Sequence, residues 1–130
     1  MLRQAAIVFA IVLALGACKA PQPQAETAPS AADAPKLFDD FGDLHRDIGS
    51  KVPAAQRYFD QGLRMAYGFN HEAAGRSFAE AARLDPECAM CLWGQALVLG
   101  PNINLAMQPE ANTPAFEFSR RAAALAVHAT

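Results

Sequence analysis

Residues 53–86, which read PAAQRYFDQGLRMAYGFNHEAAGRSFAEAARLDP, carry two amphipathic helical patterns joined by a short turn. The first pattern predicts a helix over about residues 53–68, because small and apolar residues recur every three or four positions. The residues that should share one face of this helix are Tyr58, Gly62, Met65 and Phe69. The turn at 68–70 should end the first helix, and Asn70 should cap a second helix over about residues 71–84.

One aspartate–proline pair and one threonine–proline pair predict the starts of two further helices. Asp85 should act as an N-cap, with Pro86 at the first helical position, where its missing N–H costs nothing. This third helix should end near residue 100, where a glycine and a proline follow each other. Thr113 and Pro114 have the same form and predict a fourth helix that reaches about residue 128.

Several of these residues lie at the mutual spacings of the tetratricopeptide repeat: Gly62, Ala74, Phe78, Ala81 and Pro86, with Tyr58 in place of its first aromatic. The chain resembles this family over a folded domain at 53–130, with repeats at about 55–88 and 89–128. The resemblance implies an all-α fold in which antiparallel helical hairpins form a TPR-like α-solenoid. The chain departs from the pattern at Gln61, where leucine is preferred, and at Met65, where tyrosine is preferred.

The stretch from Gly68 to Asn104 also resembles a group of long bacterial repeat proteins of unassigned function. That resemblance implies that the chain is the N-terminal portion of a larger repeat protein. Two hairpins leave one apolar end of a solenoid uncovered, and about three repeats are usually needed for stability. We therefore expect either further repeats, a covering partner, or a truncated product that has no function.

The first residues have the pattern of an export signal. Arg3 precedes an apolar or small stretch at 5–16, which is too short to span a bilayer, since a spanning helix takes roughly 20 residues. Leu15-Gly16-Ala17-Cys18 resembles the lipobox of bacterial lipoproteins. The resemblance implies a signal peptide at 1–17 and a lipid-anchored Cys18 in the cell envelope, facing the periplasm or the exterior. By analogy with Gram-negative sorting, Lys19 favours the outer membrane.

Two segments separate this signal from the first helix. Residues 18–36 are rich in proline, alanine and glutamine and predict a disordered tether. Residues 37–52 form an N-terminal extension whose apolar residues could fold back over an exposed helical face: Leu37, Phe38, Phe41, Leu44 and Ile48. Its acidic residues do not have the spacing of a calcium loop and predict solvated surface: Asp39, Asp40, Asp43 and Asp47.

In repeats of this kind the first helix of each hairpin lines a concave surface. The residues that should form such an apolar groove, here called the predicted groove, are Phe59, Leu63, Ala66, Trp93 and Leu97. The basic and amide residues of carboxylate-binding family members are absent from this region, so the groove should bind an apolar or mixed peptide. Residues 37–49 or downstream repeats are alternative covers for the same surface.

Cys88 and Cys91 are the basis of an alternative function. At this spacing in a helix their Cα atoms should be roughly 5–6 Å apart, within disulfide range. The interpretations that remain open are a structural disulfide, two small thiols in the core, or an extracytoplasmic redox pair at a helix N-terminus. A metal site with His45 and His71 is conceivable, although the spacing is not that of a known zinc finger.

The charge pattern excludes some classes of function. The formal net charge is −2, and basic residues are interspersed with acidic ones, so no stripe exists for binding nucleic acid. No glycine-rich phosphate loop and no nucleophile with a recognisable base partner occur in the sequence. The sequence thus predicts a non-enzymatic scaffold without metal or cofactor, which binds a protein or peptide partner.

Overall fold

A computed structural model of the protein describes residues 34–127, and it has four α-helices. They are α1 (Pro53–Tyr67), α2 (His71–Leu84), α3 (Ala89–Leu99) and α4 (Asn112–Ala126). No strand occurs within this range, apart from an isolated antiparallel bridge between residues 102 and 105. The prediction of an all-α fold is therefore confirmed for these residues.

Some of the sequence-based predictions concern parts of the chain outside the described residues. The signal peptide at 1–17, the lipidation site at Cys18 and the tether up to residue 33 are among them. Between residues 34 and 127, no helix has the length and apolar character needed to cross a membrane.

The helices pack mainly in sequential pairs. α1 packs most extensively against α2, and α3 packs against α4. α2 also packs against α3, and α1 makes a smaller contact with α3. The core therefore lies where α1, α2 and α3 meet.

The turn between α1 and α2 forms where the sequence predicts it. α1 starts with proline at its first position and ends at Tyr67, after which the Asn70 N–H donates to the Met65 carbonyl at 2.9 Å. The Asn70 side chain accepts a hydrogen bond from the Ala73 N–H, so the predicted cap is confirmed. The placement of Phe69 on the helical face was wrong, because this residue lies beyond the end of α1 at φ 59° with an exposed side chain.

The predicted starts of the third and fourth helices were also wrong. Asp85 ends α2, and its side chain accepts hydrogen bonds from the Glu87 N–H and the Ser50 hydroxyl, so it does not cap α3. Cys88 takes the N-cap position, and α3 begins three residues after Pro86. α4 begins before Thr113, because a 3-10 turn at Pro109–Ala111 leads directly into it.

The core is organised around the ring of Phe78, which is fully buried. A Cβ atom placed on Gly62 of α1 would lie 2.7 Å from this ring, and one placed on Gly94 of α3 would lie 2.5 Å from it. Real Cβ atoms do not come this close, so the absence of a side chain at both positions lets Phe78 fit between two helices. The burial of Phe78, Gly62, Ala74 and Ala81 agrees with the sequence pattern, whereas the role of Gly94 was not predicted.

We predict that Gly62→Ala and Gly94→Ala each destabilise the fold. Replacing glycine by alanine in a helix interior stabilises the helix by about 1 kcal/mol, but overpacking of a core costs about 1–3 kcal/mol. The overpacking cost should be the larger of the two here, because the ring of Phe78 is rigid. Gly75→Ala is the matched control, since its Cβ would meet only Val98 Cγ2 at 3.5 Å. This variant should gain about 0.5–1 kcal/mol. Urea unfolding of the three variants measures the difference, and equal stabilisation by all three substitutions would contradict the packing described.

Candidate functional site

Residues 36–50 form an irregular segment, here called the strap, that lies along α1. This region folds back onto the helices, as predicted, but the predicted apolar contacts are not the main ones. Phe38, Phe41 and Leu44 remain 40–43% exposed, and only Ile48 packs against the core. The strap is therefore held mainly by polar groups of α1.

Gln61 holds the first part of the strap. Its side chain is buried, with 1% exposure, and its Oε1 atom accepts a hydrogen bond from the Phe38 N–H at 2.9 Å. Its Nε2 atom donates to the Lys36 carbonyl at 2.9 Å and to the Ser77 hydroxyl of α2 at 3.2 Å. One amide thus joins the strap to both helices of the first pair.

Asp60 holds the second part. Its Oδ1 atom accepts from the Arg46 N–H at 3.1 Å and from Gln56 Nε2 at 3.0 Å, and its Oδ2 atom lies 2.7 Å from His45 Nδ1. The Asp60 side chain is about 10% exposed, so these contacts compensate a carboxylate that is largely removed from water.

Two further α1 side chains bond to the strap backbone. Gln56 accepts from the Ile48 N–H at 3.2 Å and donates to the Arg46 carbonyl at 2.8 Å. Arg64 Nε donates to the Leu44 carbonyl at 2.9 Å. Together with the contacts of Gln61 and Asp60, α1 thus recognises six backbone groups of the strap and few of its side chains.

Two small cavities lie beside Gln61. One, of about 220 Å³, opens between the strap and α1 and is lined in part by Phe38, Gly42 and Arg57. The other, of about 360 Å³, reaches α2 and is lined in part by Met65 and Ser77. The strap therefore leaves space unfilled on both sides of the glutamine.

Buried polar groups elsewhere are paired. Glu80 of α2 is 3% exposed and receives two hydrogen bonds, of 2.7 and 2.6 Å, from Arg83. The hydrogen bonds to Glu80 raise the pKa of Arg83 above its ordinary value. Each buried side-chain nitrogen and oxygen in the range 34–127 has a hydrogen-bond partner.

The structure separates the residues of the predicted groove. Phe59 and Leu63 are buried, at 0% and 4% exposure, so their assignment to an open groove was wrong. Phe59 instead packs against Phe78, with ring centroids 5.4 Å apart. Ala66 is half-buried, whereas Trp93 and Leu97 are each 40% exposed, one turn apart on α3. Among the residues of the predicted groove, the large apolar side chains that stay exposed are thus those on α3.

The two cysteines of the core meet at the start of α3. The sulfur atoms of Cys88 and Cys91 lie 2.09 Å apart, at disulfide distance, and their Cα atoms are 5.3 Å apart, as expected from the spacing. Both residues are buried, at 5% and 0% exposure. A reductant or substrate would therefore need the core to open before it reached either sulfur.

The two histidines considered for a metal site lie away from the cysteine pair and have other contacts. His45 contacts Asp60, and Nδ1 of His71 lies 3.4 Å from the Val98 carbonyl. In the part of the chain that the structure describes, no three histidine, cysteine, aspartate or glutamate side chains are grouped so that they could hold a metal ion.

Comparison of the chain with protein-family models, with curated proteins and with solved structures finds no match.

We predict that Asp60→Ala releases the second part of the strap. The substitution removes the acceptor of the Arg46 N–H and leaves Gln56 without one of its partners, and a lost buried hydrogen bond of this kind costs about 1–3 kcal/mol. Asp39→Ala is the matched control, because Asp39 is 91% exposed in its ion pair with Arg57 and should contribute less than about 0.5 kcal/mol. Amide exchange at Arg46 and urea unfolding measure both effects. Similar values for the two variants would show that Asp60 does not hold the strap.

Proposed function

We propose that the protein is a membrane-anchored scaffold of the cell envelope, whose TPR-like helical repeats bind a protein or peptide partner. The observation that carries this proposal is the packing of Phe78 beside Gly62, Ala74 and Ala81. The tetratricopeptide resemblance assigns these residue types to the contacts between its helices, and all four are buried here. The proposal assigns the chain no catalytic residue, cofactor or nucleic-acid partner.

The strap supports the same interpretation, because it explains the departure from the repeat pattern at Gln61. A leucine at this position would suit an apolar neighbour, such as a preceding repeat. The glutamine instead satisfies two backbone groups of the strap and a hydroxyl of α2. In this proposal the strap is a polar cap for the first repeat.

The partner surface in this proposal is the exposed part of α3. Trp93 and Leu97 present apolar side chains one helical turn apart, with the half-buried Ala66 of α1 as the remaining member of the predicted groove. Tryptophan is enriched among residues that dominate binding energy, since it buries a large area at low entropic cost.

We predict that membrane attachment depends on Cys18. In this proposal, Cys18→Ser removes the sulfur that carries the lipid, and the protein should move from the membrane fraction to the soluble fraction of the envelope. The double variant Cys88→Ser/Cys91→Ser should remain with the membrane, because these residues belong to the helical core. Retention of the Cys18→Ser protein on membranes would contradict the lipid anchor.

We predict that a photo-reactive amino acid at Trp93 forms a discrete crosslinked protein species in intact cells. The same group at Arg120 of α4, which is 61% exposed and forms an ion pair with Glu117, is the control. Equal crosslinking at both positions, or none at Trp93, would count against a partner surface on α3.

The alternative function is a redox or metal-binding protein that uses Cys88 and Cys91. The position of the pair at the N-terminus of α3 supports it, since the Cys91 N–H points to the Cys88 sulfur at 3.0 Å. The burial of both sulfurs favours a structural role instead. We therefore keep the scaffold as the proposed function.

A further inference from the structure

We propose that the α1 surface beneath the strap is a binding site for an extended, acid-rich peptide, and that the strap occupies this site in cis until such a peptide displaces it. The site consists of Gln56, Arg57, Asp60, Gln61 and Arg64, here called the strap site. The inference rests on the proposed scaffold function in that it treats the chain as a peptide binder. The strap site does not include Ala66, Trp93 or Leu97, the residues of the proposed partner surface.

The strap site recognises mainly the backbone of the segment that it holds. Gln56, Asp60, Gln61 and Arg64 bond to N–H and C=O groups of the strap, which every peptide has. Recognition through the backbone depends on an extended or irregular conformation and tolerates many side chains. A different segment with the same backbone path would satisfy the same hydrogen bonds.

The strap and the arginines beside it carry opposite charges. The strap carries four aspartates between residues 39 and 47, and Asp39 reaches Arg57 at 3.1 Å. Arg64 adds a second cationic side chain to the site, and Arg76 of α2 lines the cavity on the other side of Gln61. An acidic residue is thus favoured beside Arg57 and Arg64, whereas Asp60 in the second part of the site contacts His45 of the strap.

The strap fits its site incompletely. Phe38, Phe41 and Leu44 are each about two-fifths exposed, so part of their apolar surface stays uncovered while the strap is bound. The cavities of about 220 and 360 Å³ beside Gln61 are open to larger side chains. A peptide with larger side chains would fill space that the strap leaves empty, and the second cavity, whose lining includes Met65 and Ala73, would give it apolar burial that the strap lacks, so it can compete with a tethered segment.

The test uses the purified full chain in detergent and a fluorescently labelled synthetic peptide of residues 35–48 as the probe. The variant Phe38→Pro/Arg46→Pro removes the two strap N–H groups that donate to Gln61 and Asp60. The matched control Phe38→Ala/Arg46→Ala changes the same exposed side chains but keeps both N–H groups. Fluorescence anisotropy measures binding, and circular dichroism checks that the helices remain.

We expect the double-proline chain to bind the probe at least about tenfold more tightly than the double-alanine chain, because apparent affinity scales with the fraction of open sites. Adding Gln61→Leu to the double-proline chain should reduce binding by at least about tenfold, since two backbone hydrogen bonds are lost. A probe in which Asp39 and Asp43 are replaced by lysine should bind more weakly. Equal binding to both chains, or none to a helical double-proline chain, would overturn the proposal.

Amide exchange in the unmodified chain decides the question even if the double-proline variant fails to fold. The Phe38 and Arg46 amides should exchange at least about tenfold faster than the central amides of α1, which opens only with the fold. Exchange at the same rate as α1 would show that the strap never leaves its site, and the proposal would fail. Neither measurement depends on Cys18 or Trp93, so failure here is distinguishable from failure of the scaffold function.

Discussion

The fit of one phenylalanine ring between two glycines determines how the helices of this protein meet. Gly62 and Gly94 belong to different helices, and each lacks the atom that would collide with Phe78. Because α1 and α3 both contact α2 through the same ring, the relative position of three helices depends on a single side chain. Ala74 and Ala81 on α2 add small surfaces beside it, which keeps the helices close along their length.

The strap shows that a helical face need not be apolar to be covered. Gln61 and Asp60 are buried, yet each has partners for its polar atoms, so burial costs less than it would for an unpaired group. An apolar face can pack against many different neighbours. The hydrogen bonds of these side chains, in contrast, fix the path of the strap at defined backbone groups. Hydrogen bonds to one particular backbone path thus take the place of extensive apolar contact between the strap and α1.

The helices and their first turn are predictable from the sequence, because periodicity and the cap at Asn70 are local features. The start of α3 was misplaced because Asp85 bonds to Ser50, which is remote in sequence. The start of α4 was misplaced because a 3-10 turn precedes the helix. Gly94 was overlooked, since an isolated glycine in a helix does not reveal which ring it faces. Phe59 and Leu63 were assigned to a surface because periodicity cannot distinguish two adjacent apolar stripes. The visible sign that the strap is held by polar contacts was Gln61, a polar residue where leucine is preferred.

The position of the strap ahead of α1 also has a mechanical consequence. A pulling force applied to the chain before residue 36 reaches α1 through the hydrogen bonds at Lys36, Phe38, Leu44, Arg46 and Ile48, in that order along the chain. Each residue that detaches adds at most about 3.3–3.6 Å of free length. The bonds to α1 would thus be loaded one after another, and the strap would peel from the helix before the force acts along the chain on the start of α1 at Pro53.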